Sequence, residues 1–141
     1  MRAIFILFFV FNVSAVFAQT AKPLKHKKMR GAVIVFETDT IDFGEIWEGE
    51  KAEAEFKFKN EGSQPLMLTE VITTCGCTNA VWPKEAIPAG GTGSIKVAYD
   101  SQFRPGVFMK KIGVRSNAKN ANVKIIVITG NVIKPAIPPA H

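Results

Sequence analysis

From Ala52 to Lys59 apolar and charged residues alternate without a break: Ala52, Ala54, Phe56 and Phe58 against Glu53, Glu55, Lys57 and Lys59. A period of two is the signature of a β-strand with one face in a core and the other in water. Other short apolar runs follow the same habit. Val33 to Glu37 and Thr40 to Ile46 precede it, divided by a polar pair. Leu66 to Thr74 comes after the turn Asn60-Glu61-Gly62-Ser63. Gly93 to Asp100 puts Ile95, Val97 and Tyr99 on one face, and Val107 to Ser116 does the same with Phe108, Ile112 and Val114, although Lys110 interrupts that face. Asn122 to Val132 contains Ile125-Ile126-Val127-Ile128, a continuous apolar run expected of a strand buried on both sides or crossing the core.

No stretch keeps a helical period for three turns. About seven strands over about 100 residues, divided by Gly, Pro, Asn and Asp, predict an all-β, immunoglobulin-like β-sandwich. Asn117-Ala118-Lys119-Asn120 reads as a hairpin turn, and Trp82 to Gly91 as a longer crossover. The predicted core is Phe43, Phe56, Phe58, Leu66, Leu68, Ile95, Val97, Ile112, Val114, Ile125 and Val127.

The two ends are of different character. Arg2 followed by the apolar run Ile4 to Val13 and by Val16-Phe17-Ala18 has the form of an export signal, with cleavage expected between Ala18 and Gln19. The run is short for a bilayer span, which needs about 20 residues. The predicted layout is therefore a signal at 1–18, a basic spacer at 19–32, the sandwich at 33–133 and a Pro-rich, unpaired tail at 134–141, with no membrane-spanning segment in the mature chain. An exported chain of this kind is expected in the periplasm or on the cell surface.

Charge sharpens this division. The formal net charge is +6, but from Val33 onward twelve Lys and Arg offset twelve Asp and Glu. The basicity sits in Lys22, Lys25, Lys27, Lys28 and Arg30, so the folded part offers no nucleic-acid-binding footprint. Eight of the twelve acids lie between Glu37 and Glu55, without the spacing of a calcium loop.

Candidate chemistry is sparse. The only histidines, His26 and His141, lie outside the predicted fold, so no Ser–His or Cys–His pairing forms and no enzymatic activity is expected. Trp82, beside Pro83, is equally a candidate binding anchor or a cap on the core, whereas Trp47 leans toward the core. Cys75 and Cys77, the only cysteines, sit in Thr74-Cys75-Gly76-Cys77-Thr78. They admit three states: a Cys-x-Cys bridge bent at Gly76, a soft-metal or redox site taking Cu(I), or buried thiols. No nearby His or third Cys completes a zinc site.

These segments together resemble a known family. Ile41-Asp42-Phe43-Gly44-Glu45-Ile46, Phe56-Lys57-Phe58-Lys59-Asn60-Glu61-Gly62, Thr74-Cys75-Gly76-Cys77-Thr78, Trp82-Pro83, Ile87-Pro88-Ala89-Gly90 and Pro105-Gly106 are similar, in this order, to the bacterial domain family DUF1573. The resemblance spans about residues 33–133. It implies an immunoglobulin-like fold and an envelope location, and no activity. The expected role is an interaction or structural module with an unidentified envelope protein as partner; the alternative is soft-metal or thiol-redox handling at Cys75 and Cys77.

Overall fold

The computed structural model describes residues 30–134. The predicted signal, most of the spacer and nearly all of the tail lie outside the described residues. Eight strands run in chain order: β1 (Ile34–Phe36), β2 (Thr40–Trp47), β3 (Lys51–Asn60), β4 (Leu68–Thr73), β5 (Thr78–Val81), β6 (Thr92–Asp100), β7 (Gly106–Ser116) and β8 (Val123–Ile133). They form two four-stranded sheets, β1-β3-β6-β5 and β2-β8-β7-β4. The fold is the predicted all-β sandwich, with one strand more than the seven expected. The additional strand is β5, whose four residues pair with β6 from Thr78↔Tyr99 to Val81↔Lys96.

The alternation at 52–59 becomes the central strand β3, whose even-numbered residues are all buried and odd-numbered all exposed. It pairs with β6 in unbroken register from Lys51↔Asp100 to Lys59↔Thr92. The chain changes sheet between Phe36 and Thr40: β1 is antiparallel to β3, while β2 runs parallel to β8 in the other sheet. A register shift between Asp42 and Glu45 interrupts the β2–β8 pairing. Gly44 takes a left-handed φ of 65° there, which glycine accepts without a steric penalty. The extra residue lets both Phe43 and Ile46 turn inward, although three positions apart, and so turns Trp47 outward.

Between the sheets lie Ile34, Phe56, Phe58, Leu66, Leu68, Ile95, Val97, Tyr99, Ile112, Val114, Ile126 and Ile128. Tyr99 stacks on Phe108 at a centroid distance of 4.1 Å, and Phe43 packs on Phe108 from the rim at 6.4 Å, partly buried. The core assignment in β8 needs correction. Ile126 and Ile128 fill the interior, while Ile125 is 48 % exposed and Val127 only partly covered. The run is apolar on both sides, so periodicity could not choose its inner face, and a shift of one residue exchanges the faces. Nor is β8 buried on both sides, as its composition suggested.

Asn60, fully buried, closes one end of the sandwich. Its Oδ1 accepts from the backbone N–H groups of Val33 (3.2 Å) and Gly62 (3.0 Å). Its Nδ2 donates toward the carbonyls of Gln64 (2.8 Å), Ile87 (3.0 Å) and Pro88 (3.2 Å). One side chain thus ties the entry to β1, the β3–β4 turn and the crossover before β6. Among the described residues no helix is long and apolar enough to cross a membrane.

Candidate functional site

Cys75 and Cys77 are joined as a disulfide, with Cα atoms 5.2 Å apart. Of the three states open to these cysteines, the bridge is the one formed. It lies in the turn from β4 in one sheet to β5 in the other, with Gly76 at the bend. Backbone bonds hold the turn as well: Thr78 N–H donates to the Cys75 carbonyl at 3.3 Å, and Asp100 N–H to the Cys77 carbonyl at 2.9 Å. The Thr73 hydroxyl donates to the Cys75 carbonyl at 3.4 Å. Cys77 is 4 % exposed and Cys75 partly exposed. The Thr78 hydroxyl, itself buried, reaches both sulfurs, 3.6 Å from Cys75 Sγ and 3.8 Å from Cys77 Sγ. A Cu(I) site would need both sulfurs as thiolates, and the bridge leaves neither in that form. Among the described residues no three His, Cys, Asp or Glu side chains gather as metal ligands.

Closing so small a loop contributes little to stability. The chain-entropy relation gives about 1.6 kcal/mol for a three-residue loop, against about 3 kcal/mol for fifteen residues. A turn already fixed by three hydrogen bonds gains little more from the bridge.

The β2–β3 and β6–β7 loops meet at the same end of the sandwich. The hydroxyl of buried Ser101 lies 2.7 Å from the Glu50 carbonyl and 3.0 Å from that of Trp47, one proton serving both. The Glu50 carboxylate accepts from Trp47 N–H at 3.1 Å. The backbone of Trp47 is thereby fixed while the residue stays 55 % exposed, contrary to the expectation that it leans into the core. Phe103, in the β6–β7 loop, is 83 % exposed and holds a left-handed φ of 59°, uncommon for an aromatic residue.

Trp82 sits elsewhere. It is partly buried against the core, and Lys84 Nζ lies 3.2 Å from its ring centroid, in cation–π geometry. Its indole N–H is buried and has no hydrogen-bond partner among the described residues. The four residues of β5 separate Trp82 along the chain from Cys77.

A surface that the sequence reading did not single out is the outer face of the β2-β8-β7-β4 sheet. Of ten exposed large apolar side chains among the described residues, six stand on it: Trp47, Ile72, Val107, Met109, Val123 and Ile125. The register lays them across the sheet. Ile72 of edge strand β4 is level with Gly113 of β7, and Gly113 with Ile125 of β8. Gly113 has no side chain, so a furrow runs between the two isoleucines. A Cβ placed there would meet Val123, Ile72 and Ile125 at 3.7–4.0 Å, ordinary van der Waals distances. The opposite outer face is charged, with Glu53, Glu55, Lys57 and Lys59 of β3 beside Lys96 of β6. The sequence does carry a signal for the apolar face. Val107-Phe108-Met109 and Ile125-Ile126-Val127-Ile128 are apolar at consecutive positions, so in a two-layer sandwich each must send apolar groups outward.

The family described as "Protein of unknown function (DUF1573)" matches residues 34–132, which takes in the disulfide loop and all eight strands but for the last residue of β8. The chain belongs to the DUF1573 family. None of the curated proteins matches it in sequence. Solved structures share the fold. A protein of unknown function from Porphyromonas gingivalis W83 superposes with a TM-score of 0.65 at 24 % identity, over 71 % of this chain and 46 % of its own. The ASH/PapD-like domain 7 of human CEP192 gives 0.63 at 11 % identity, over 86 % of this chain and 98 % of its own. The Vibrio cholerae VesB protease gives 0.59 at 14 % identity, over 71 % of this chain and 31 % of its own. This DUF1573 chain therefore spans less than half of the Porphyromonas protein and under a third of VesB, and at these identities the likeness concerns the fold alone.

Proposed function

We propose that this DUF1573 protein is an exported interaction module of the cell envelope, docking onto another protein through the outer face of the β2-β8-β7-β4 sheet. The observation that carries the reading is the concentration of exposed apolar side chains on that one face. Contiguous apolar patches on soluble proteins mark places where something else binds. Rigid strands present the patch, so little ordering entropy opposes binding. Lys111 and Arg115, with the exposed pair Arg115–Glu70 (3.2 Å), interleave polar groups with the apolar rows and favour a specific partner over aggregation. Export is supported by the N-terminal pattern and by a disulfide, a bond that persists in oxidising compartments.

The test is crosslinking and affinity capture from the native envelope with the wild-type chain and with Ile125→Lys. That change leaves the core untouched, because Ile125 points outward. The expected result is a protein captured reproducibly by the wild type and lost with the variant, while both melt alike. Capture of the same protein at equal yield by both would overturn this face as the interface. Recovery of background alone would overturn the interaction reading.

A further inference from the structure

We infer that the Cys75–Cys77 disulfide is a redox-active bond that exchanges with an external dithiol, Cys75 being the sulfur attacked and Cys77 the leaving group. Four observations converge on it. The bond spans one residue and joins strands already held by backbone hydrogen bonds, so reduction leaves the turn with its other ties. The sulfurs are unequal: Cys75 is partly exposed, whereas Cys77 is buried. Exchange requires a thiolate to approach one sulfur along the S–S axis, and access selects which. The Cβ position of Gly76 meets none of the described residues within 4 Å, so among them the outside of the loop is open to an incoming group. Finally, the Thr78 hydroxyl stands within 3.6 and 3.8 Å of the two sulfurs, placed to donate to whichever becomes a thiolate. A hydrogen bond to the leaving sulfur lowers its basicity and speeds departure.

The reaction balances as two successive displacements. One thiolate of the dithiol attacks Cys75 Sγ. A mixed disulfide forms, the Cys75–Cys77 bond breaks, and its electron pair leaves on Cys77 Sγ, which takes a proton. The second thiolate of the dithiol then attacks its own sulfur in the mixed disulfide. That releases Cys75 as a thiolate, which is protonated in turn. The dithiol loses two electrons and two protons and becomes a disulfide; the protein gains both as Cys75 and Cys77 thiols. Thr78 is a positioning residue in this scheme, since it acts through the sulfurs.

The probe is dithiothreitol, applied to the oxidised, folded protein without denaturant. Free thiols are trapped with an alkylating reagent and read by intact mass, with circular dichroism recorded in parallel. Two alkyl groups are expected at a rate unchanged by sub-denaturing urea, with the β-sheet spectrum retained. Thr78→Val should slow reduction several-fold at unchanged melting temperature, and Thr78→Ser should restore the rate. In single-cysteine variants, Cys77→Ser should form a mixed disulfide with oxidised glutathione at least about tenfold faster than Cys75→Ser, because access governs exchange. Should either variant fail to fold, differential alkylation of the reduced wild type gives the same ranking. Reduction that follows the unfolded fraction in urea, or equal reactivity of the two sulfurs, would show a structural bridge and overturn the inference. Thr78→Val without effect on the rate would remove the positioning role.

Discussion

Replacing Asn60 with Ala should remove a large share of the stability of this domain. The side chain is fully buried and spans three segments. Its loss orphans two buried backbone donors, Val33 N–H and Gly62 N–H, which have the Asn60 carbonyl oxygen as their acceptor. The carbonyls of Ile87 and Pro88 keep other donors, Leu66 N–H at 2.8 Å and Gly91 N–H at 2.9 Å, whereas that of Gln64 loses its partner at 2.8 Å. Each buried group left unsatisfied costs about 1–3 kcal/mol, so the two donors amount to about 2–6 kcal/mol, while the carbonyl of exposed Gln64 turns to water. Domains of this size are stable by about 5–15 kcal/mol, which puts the variant near the edge of folding. Urea unfolding followed by tryptophan fluorescence measures the difference through the midpoint at constant slope. Asn60→Asp tests the donor side separately. It keeps the acceptor for Val33 and Gly62 but turns a carboxylate oxygen toward three carbonyls. Burial and those lone pairs hold its folded pKa above the ordinary value of about 3.9. A raised folded pKa means stability that is full below about pH 3.9 and declines as pH rises through the folded value. The Asp variant should therefore be more stable at pH 4 than at pH 7. A loss under about 1 kcal/mol in the Ala variant would show that water satisfies these groups and refute the reasoning.

Phe56→Ala empties a fully buried site opposite Ile95 and should cost about 3–5 kcal/mol, read from the urea midpoint. Tyr99 is the only tyrosine, so phenolate absorbance reports on it alone. Burial raises its pKa above 10.0, with Arg104 opposing and Asp100 adding to the shift. The associated stability is full below about pH 10 and declines as pH climbs through the raised value, and Tyr99→Phe should flatten that decline in urea titrations. Gly62→Ala would drive a Cβ into the backbone of Gly31 and Val33, and should abolish cooperative folding by circular dichroism.

The sandwich was legible because the determining signal, period two with turn residues between runs, is local. What escaped lay where that signal reads backwards or both ways. In β5, Thr78 is buried and Val81 faces out, so the polarity is inverted and the strand passes for a loop. In β8 both faces are apolar, and only pairing with β7 decides that Ile126 meets Ile112 inside while Ile125 meets Gly113 outside. Trp47 depended on the bulge at Gly44, since without it Phe43 and Ile46 point to opposite faces. The disulfide was one of several readings because two cysteines in extended strand stand too far apart to bond; the turn at Gly76 closes the distance, and the fold sets that turn.

The apolar face and the disulfide loop are adjacent along the chain. Ile72 stands on the edge strand β4, and Cys75 follows three residues later in the turn leaving that strand. A protein seated on the face brings any dithiol near its rim to the bond at high effective concentration, so docking should accelerate exchange with that partner without changing the intrinsic chemistry. Ile72→Lys separates the two contributions. It adds charge at the rim of the face and touches neither sulfur, so reduction by dithiothreitol should keep its wild-type rate. Reduction by a captured protein partner should fall by at least about tenfold, the loss expected from roughly 1.4 kcal/mol of docking energy. The measurement is a pair of alkylation-trapped time courses read by intact mass. Equal slowing with both reductants would mean that the substitution distorts the loop. An unchanged rate with the protein partner would mean that exchange proceeds without this face, and the link between docking and redox chemistry would fall while each remained open to its own test.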